Sequence, residues 1–341
     1  VINNLAAMHR DWQNEAEAEQ LWQRSMKILE TQLGDDHLDV AIVLNNMAAL
    51  RHGQDRSGEA ATLLRRALEI QESRLGSDHR SVAGSLSNLG RVLHDQGEYT
   101  EAETLLRRAL KIQEARLGDD HFSIAVSLSD LGLLLHDQGK YTEAETLLHR
   151  VLKIQETRLG SDHPDMVVAA GNLASVLLDQ DKMTEAETLL RRALKIQETW
   201  LGDDHPDAAM MVNNLAEVLH EQGRYGDAEP LYRRALKILE DRLGDKHPQV
   251  AAELNNLAVM LHEQGDHAGA EALYSRALEI YESHYGNDHP EVATSLNNLA
   301  VLFEEQDNPA GAEPLYHRAL AIRQAELGDD HPDVAASLAS L

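Results

Sequence analysis

Histidine is the residue type in this sequence best suited to metal binding or proton transfer, and most histidines recur at intervals of 42 positions. One series comprises His37, His79, His121, His163, His205, His247, His289 and His331. A second comprises His52, His94, His136, His220 and His262. Packed helices lie about 8–10 Å apart, whereas a metal ion needs ligands at about 2 Å, so one series cannot readily form one site. We therefore predict no metal site, and capping and packing roles for these histidines.

Paired carboxylates could serve acid–base catalysis, but they also follow the repeat, as in "EAE" and "GDD". Arginine pairs such as Arg233-Arg234 lie among them, and we expect ion pairs with glutamate within helices and between repeats. The motifs GxxxxGK[ST], GxSxG and HExxH do not occur. The chain has no cysteine, which excludes thiolate zinc sites and a cysteine nucleophile. We predict a protein that is not an enzyme and has no cofactor.

Adjacent asparagines recur in segments with helical apolar spacing, as in "LNNLA", although asparagine is a mediocre helix former. The first position of the pair holds Asn3, Asn45, Ser87, Ser129, Gly171, Asn213, Asn255 and Asn297. The second holds Asn4, Asn46, Asn88, Asp130, Asn172, Asn214, Asn256 and Asn298. An amide carries two donors and one acceptor, so a row of first-position asparagines could pair with the backbone of an extended peptide.

The two positions of the pair face different ways. Asn255, Val259 and His262 share one helix face, because residues three and four apart are neighbours on a helix. Asn256 points toward the flank of the apolar stripe. We predict that the second position holds a buried structural amide, because buried amides usually satisfy backbone groups.

One period of 42 residues positions all of these side chains. Each repeat ends at "LG" or "YG", and the boundaries fall near residues 34, 76, 118, 160, 202, 244, 286 and 328. Apolar residues at helical spacing fill both halves of a repeat, with a break such as "QGDH" between them. We predict about eight stacked helix–turn–helix units in one array over residues 1–341. The array would have a partial first helix at 1–10 and a partial last helix at 331–341.

The predicted helix ends carry capping residues. In "YGNDHPEV", Gly286 is expected to end one helix as a left-handed cap. Pro290 suits the first turn of the next helix, where its missing N–H costs nothing. Asn287, Asp288 and His289 are all candidates for the N-cap.

These motifs resemble those of a known family. "SLNNLAVLFEEQ" followed by "AGAEPLYHRAL" resembles the tetratricopeptide repeat, and the 42-residue unit resembles the repeats of kinesin light chains and of many bacterial proteins. The resemblance covers the whole chain and implies an all-α fold, an α-α superhelix that forms a right-handed solenoid. No heptad segment is present, and nearly identical repeats such as "YTEAETLLRRALKIQE" resemble a bacterial-type array rather than a motor subunit.

The resemblance implies a scaffold for protein–protein interaction that binds an extended peptide on its concave surface. It places the first asparagine position in that groove and implies that the second position bonds one helix to its neighbour. The expected groove residues are Asn45, Arg91, Leu133, Asn213, Glu217, His220, Asn255, Val259, His262, Asn297 and Val301. Because Asn213, Asn255 and Asn297 belong to three consecutive repeats, we expect the main contact there. The alternative is a sensor region of a larger signalling protein, such as a nucleotide-switch ATPase.

The charge balance limits the partners. A formal net charge of −27 opposes binding to nucleic acid and to anionic membranes, and favours a basic or neutral protein partner. No apolar run reaches the roughly 18 residues that span a bilayer, and we expect a cytoplasmic protein. Both chain ends read as helix interiors, so we expect a fragment of a longer protein. We expect a monomer, with end-to-end association as the alternative.

Overall fold

The computed structural model describes residues 15–327 and Val334, and the regular structure of this part of the chain is helical throughout. Fifteen α-helices and a 3₁₀ turn at Phe122–Ile124 occur in it. The helices are α1 Glu15–Leu33, α2 Leu38–Gly53, α3 Ser57–Leu75, α4 Arg80–Asp95, α5 Tyr99–Leu117, α6 Ala125–Asp137, α7 Tyr141–Leu159, α8 Asp165–Leu178, α9 Met183–Leu201, α10 Pro206–Glu221, α11 Tyr225–Leu243, α12 Pro248–Glu263, α13 His267–Tyr285, α14 Pro290–Glu305 and α15 Pro309–Leu327. None of these helices has the length and apolar content needed to cross a membrane.

The helices alternate between a first helix and a longer second helix, as the 42-residue period predicts. The second helices, which have odd numbers, are 19 residues long, as in α5 and α13. The first helices have even numbers and are mostly 16 residues long, as in α4 and α12. Helix α6 has 13 residues because the 3₁₀ turn precedes it. The all-α fold class and the helix–turn–helix unit are confirmed for the described residues.

The described helices belong to two compact units, divided between Gln180 and Asp181. The first unit contains α1 to α8, and the second contains α9 to α15. Within each unit, helices that follow one another in sequence pack together. The single array over residues 1–341 stays a prediction. The partial helices expected at 1–10 and 331–341 lie outside the described residues, apart from the buried Val334.

The N-caps of most first helices are histidines, whereas Ile124 precedes α6 and Pro164 precedes α8. His289 is the N-cap of α14, and its Nδ1 accepts a hydrogen bond from the backbone N–H of Glu291 at 3.2 Å. The same bond is made by His37, His79, His121, His163, His205 and His247. Pro290 stands in the first turn of α14, as expected. The predicted capping role is therefore confirmed wherever this series is described.

Gly286 ends α13 with φ 87° and ψ 174°, and its N–H donates to the carbonyl oxygen of Glu282. The predicted positive φ is confirmed. The predicted left-handed cap is wrong in ψ, because that conformation has ψ near about 47°. The observed region is open essentially to glycine alone, so any side chain at this position would strain the turn.

Branched side chains and alanines fill the core between neighbouring helices. In the second unit, Val250 and Leu254 on α12 pack with Ala277 on α13 and with Val292 and Leu296 on α14, and none of the five has exposed surface. An equivalent cluster joins α4 to α5 in the first unit. The apolar stripes predicted for each repeat are confirmed as the core.

Arginines on the second helices link consecutive repeats. Arg234 on α11 pairs with Glu198 on α9 at 2.7 Å and donates to the carbonyl oxygen of Asp203 at 3.0 Å. The equivalent ion pairs elsewhere are Arg66–Glu30, Arg108–Glu72, Arg150–Glu114, Arg276–Glu240 and Arg318–Glu282. Arg233 instead pairs within its own helix, with Glu229. The predicted ion pairs, within helices and between repeats, are confirmed.

Candidate peptide-binding surface

The first helices carry a row of exposed apolar side chains. In the first unit, Ile42 on α2, Val126 on α6 and Val168 on α8 occupy the same position of the repeat, and Val168 is 64% exposed. In the second unit, Met210 on α10 holds that position and is 55% exposed. Exposed apolar side chains that recur on one face mark a contact surface. We call this exposed side of the even-numbered helices, taken within each unit separately, the first-helix face.

Sequence reasoning missed this row, although a signal was present. Residue 42 of the chain and its equivalents in later repeats are apolar in several cases. They lie off the buried stripe that the helical spacing defines. In helices already rich in apolar residues, such a position reads as core. Only a comparison of exposure between repeats separates Val168 from Val167, which is buried.

Several predicted groove residues lie on the first-helix face. Residues seven positions after the apolar row share its side of the helix. Of these, Arg91 and Glu217 are exposed, whereas Leu133, Val259 and Val301 are half-buried. The structure therefore leaves these five side chains at least partly accessible, and their role in binding stays a prediction.

The first asparagine position is half-buried and takes part in bonds between repeats. Asn45 on α2 donates to the carbonyl oxygen of Ala41 at 2.9 Å and accepts from Ser85 on α4 at 3.0 Å. Asn255 on α12 donates to Ser295 on α14 at 3.2 Å. These residues thus join neighbouring first helices, a role that the sequence had assigned to the second position. Their predicted binding role is untouched by this finding and stays a prediction, as it does for the half-buried Asn297.

The second asparagine position holds no buried side chain in any described repeat, and most of its residues are half-buried. Asn256 is exposed, so the prediction of its burial is wrong. Its Nδ2 donates to Oδ1 of Asn213 on α10 at 3.0 Å, which confirms the predicted bond to a neighbouring helix. The bond lies on the surface because α10 and α12 approach each other along the first-helix face.

The second histidine series pairs with acids of the next repeat. Nε2 of His262 lies 2.7 Å from Oε2 of Glu305, and His220 makes the same contact with Glu263 at 2.8 Å. His52, His94 and His136 pair with Asp95, Asp137 and Asp179. The predicted packing role is confirmed. His220 is buried, so it offers little surface to a ligand, contrary to its expected place in a groove.

One group of side chains brings potential metal ligands together. Atoms of His262, His267 and Glu305 lie within 4.8 Å of one another, the one such group among the described residues. It combines one member of the second histidine series with a residue outside both series, a case that the spacing argument did not consider. The contact between His262 and Glu305 recurs as His94–Asp137 in a repeat that has tyrosine in place of His267. The approach of His262 to Glu305 is therefore explained by pairing between repeats and requires no metal ion.

A cavity of about 330 Å³ opens between two first helices of the second unit. It is lined by Asp207, Met210 and Asn213 from α10, by Leu239 from α11, and by Gln249, Ala252, Glu253 and Asn256 from α12. Asn213 is the one predicted groove residue in this lining. The cavity therefore adjoins the first-helix face at the point where Met210 is exposed.

Glu253 is the unexpected residue of this cavity. It is only 4% exposed, and its Oε1 is buried with no hydrogen-bond partner among the described residues. Burial, with a smaller contribution from the charge of Glu217, raises the pKa of Glu253 to about 8. Sequence reasoning did not find Glu253, although a signal existed: the same position of other repeats holds Val43, Ser85, Ser127, Ala169, Met211 and Ser295, all neutral.

The sequence profile of the tetratricopeptide repeat matches residues 1–73, 81–157, 123–199, 165–241, 207–283 and 249–316. The chain belongs to the tetratricopeptide repeat family. A search of curated proteins gave no match.

Solved tetratricopeptide repeat structures resemble the chain. BtubC (BKLC) from P. vanneervenii is 25% identical with a TM-score of 0.54, and the match covers 69% of this chain and 92% of that one. A putative kinesin light chain from Podospora anserina with nearly identical repeats is 27% identical with a TM-score of 0.56, over 60% and 97% of the two chains. These likenesses agree with the resemblance to kinesin-light-chain-type repeats of a bacterial kind.

A more distant likeness shows the fold alone. The repeat sensor of a signal transduction ATPase with numerous domains from Pyrococcus horikoshii is 13% identical with a TM-score of 0.68. The match covers 98% of this chain and 49% of that protein.

Proposed function

We propose that this tetratricopeptide repeat chain is a non-catalytic module that binds an extended stretch of a partner protein along the first-helix face. The observation that carries the proposal is the exposed apolar position of the first helices, which holds Val126 and Val168 in the first unit and Met210 in the second. Exposed apolar side chains on one face supply the burial that drives association. Neighbouring amides can pair with a peptide backbone, which requires no particular side chain.

The partner that fits this surface is basic. The net charge of −27 draws positively charged chains toward the protein and repels acidic ones. We place the main contact in the second unit, at Asn213, Asn255 and Asn297, because Met210 and the acidic cavity lie beside Asn213. The expected cytoplasmic location and monomeric state accompany this proposal and rest on the sequence.

A sensor region within a larger signalling protein is the second candidate. The likeness of fold to the repeat sensor of the Pyrococcus horikoshii protein favours it. Both candidates require a bound partner. They differ in the effect of binding, because a sensor would pass the signal to another domain and a scaffold would only hold its partner.

Selection of displayed random 12-residue peptides against the whole chain tests the proposal. We expect basic peptides with apolar residues to be enriched. Their dissociation constants are then measured by calorimetry on the wild type and on Met210→Ser. Because a truncated contact at the centre of an interface costs about 1.4 kcal/mol or more, we expect affinity to fall about tenfold. Trp200→Ser, which removes an exposed apolar side chain from the second helix α9, should leave the affinity unchanged.

Replacement of Asn213, Asn255 and Asn297 by alanine tests where the main contact lies. Since Asn255 also bonds to Ser295, the helical circular dichroism of the variant must first match that of the wild type. Unchanged affinity in a folded triple variant would contradict the predicted contact. A chain that selects no peptide at all, or peptides indifferent to Met210→Ser, would contradict binding along this face.

A further inference from the structure

We propose that the cavity between α10 and α12 receives the side chain of a lysine or arginine, with Glu253 as its counter-ion. This inference deepens the proposed function and rests on it, since the basic side chain would belong to the bound partner. It assigns to one repeat a specificity that the other repeats do not have.

The geometry of the cavity suits a single long side chain. Its volume of about 330 Å³ lies at the lower end of the range of about 300–1,000 Å³ found for ligand sites. Met210 and Ala252 offer apolar surface for the methylene groups of lysine or arginine. Oδ1 of Asn213 already accepts from Asn256, so these two amides are held in place beside the opening.

The residues that line the cavity supply no cationic side chain. Its lining contains Asp207 and Glu253 and includes no lysine, arginine or histidine. A buried carboxyl oxygen without a hydrogen-bond partner destabilises a fold, and six described repeats avoid this cost with Val, Ser, Ala or Met. An uncompensated buried acid in a cavity is the arrangement of a binding site that awaits a cation.

Near Glu253 there are acidic and phenolic groups and two histidines that contact them. Nδ1 of His205 lies 3.6 Å from Oδ2 of Asp207, and Nδ1 of His220 lies 3.5 Å from the hydroxyl of Tyr232. Asp207 and Glu217 come from α10, and Tyr232 comes from α11, where burial, and to a smaller extent the charges of Glu217 and Glu253, raise its pKa. Helices α13 and α14 also pack on α12 but contribute no residue to the lining. Near neutral pH the carboxyl of Glu253 is therefore protonated. Entry of an ammonium or guanidinium group ionises it, and the released proton passes to solvent.

This proton release gives binding a distinctive pH dependence. A cation binds the ionised carboxylate more tightly than the neutral acid, so affinity rises with pH until Glu253 is ionised in the free chain, near pH 8. An apolar or merely adjacent site would show no such rise.

The test measures binding of small probes to the whole chain by calorimetry. The probes are N-acetyl-arginine amide and N-acetyl-lysine amide, with N-acetyl-norleucine amide as the neutral probe of similar length. We expect the two cations to bind at least tenfold more tightly than norleucine amide at pH 8.5. We also expect their affinity to fall at least tenfold at pH 6, with about one proton released per cation bound near pH 7.

Variants at one position separate binding from folding. Glu253→Gln and Glu253→Ser, the latter having the residue found at Ser295, should both fold and should both lose the preference for cations and its pH dependence. Glu291→Gln, which neutralises an exposed carboxylate on α14, should keep both. Equal binding of norleucine amide, or cation binding that survives Glu253→Gln, would overturn the inference.

The outcome also separates this inference from the proposed function. If selected peptides bind and respond to Met210→Ser but not to Glu253→Gln, the role of the cavity fails and peptide binding stands. If the cationic probes bind through Glu253 while no peptide is selected, the cavity is a cation site and the proposed function fails.

Discussion

At the scale of single residues, one position of the repeat separates stability from function. Ser295 at this position is buried and accepts a hydrogen bond from Asn255. Glu253, one repeat earlier, is equally buried but has an oxygen without a partner. The residue that would correspond to Asn255 is Asn213, and its Oδ1 accepts from Asn256 instead. A serine at this position satisfies the fold, whereas the glutamate does not, so its presence needs another explanation.

Glu253→Gln should remove a pH-dependent loss of stability. The pKa of Glu253 is about 8 in the folded chain, above its ordinary value of 4.5, so the folded state holds a proton that the unfolded state releases. The stability that this proton contributes is complete below pH 4.5 and is lost as the pH rises to 8. We expect the free energies of unfolding of wild type and variant, measured with urea, to diverge over this range, by roughly 5 kcal/mol at pH 9.

The control is Glu291→Gln, at an exposed carboxylate. Its difference from the wild type should stay nearly constant between pH 4.5 and pH 9. If Glu253→Gln gave the same flat difference, its carboxyl would not be held in the protonated form.

At the scale of elements, the second helices are joined by a polar ladder in addition to their apolar contacts. Arg234 spans two partners in the preceding repeat, the carboxylate of Glu198 and the carbonyl oxygen of Asp203. Because Arg234 and Glu198 are both about two-thirds buried, this pair is screened by water less than a fully exposed one. Arg233 is the natural comparison, since it is more exposed and pairs only within α11.

Arg234→Ala should therefore destabilise the chain more than Arg233→Ala. We expect about 1–2 kcal/mol for Arg234→Ala, because a charged hydrogen-bond donor to two groups is lost, and about 0.3–0.5 kcal/mol for Arg233→Ala. Chemical denaturation of both variants measures the difference. Equal effects would show that the ladder between repeats adds nothing to the pairs within helices.

At the scale of the whole molecule, each of the two units has its own core. The large cluster around Val250 and Leu296 lies within the second unit, and the cluster around Val82 and Leu86 lies within the first. In a repeat protein, stability is nearly a sum over neighbouring repeats. A cut at the division between the units leaves the core of each unit whole, whereas a cut within a unit removes part of its core.

A fragment of residues 181–341 should keep most of its helical circular dichroism and unfold cooperatively. The free energy of unfolding of this fragment should fall with urea concentration about half as steeply as that of the whole chain, since this slope scales with the surface exposed on unfolding. The matched fragment 223–341 lacks α9 and α10, so the side chain of Tyr232 on α11, which is buried in the whole chain, becomes exposed. This fragment should unfold at a lower urea concentration than fragment 181–341. A disordered 181–341 fragment would contradict the independence of the second unit.

The sequence by itself determined the helices, the 42-residue period, the core stripes and the family. It could do so because these features depend on spacing within about one helix turn or one repeat. It also narrowed the N-cap of α14 to three residues and predicted the positive φ of Gly286.

Only the tertiary structure decided what lies between repeats. It selected His289 as the cap, showed that Asn255 bonds to Ser295, and exposed Val168 beside the buried Val167. It also placed Glu253 in a cavity with Asn213, which lies 40 positions earlier in the chain. Such contacts depend on how one helix lies against another, and the pattern within a single helix carries no record of that placement.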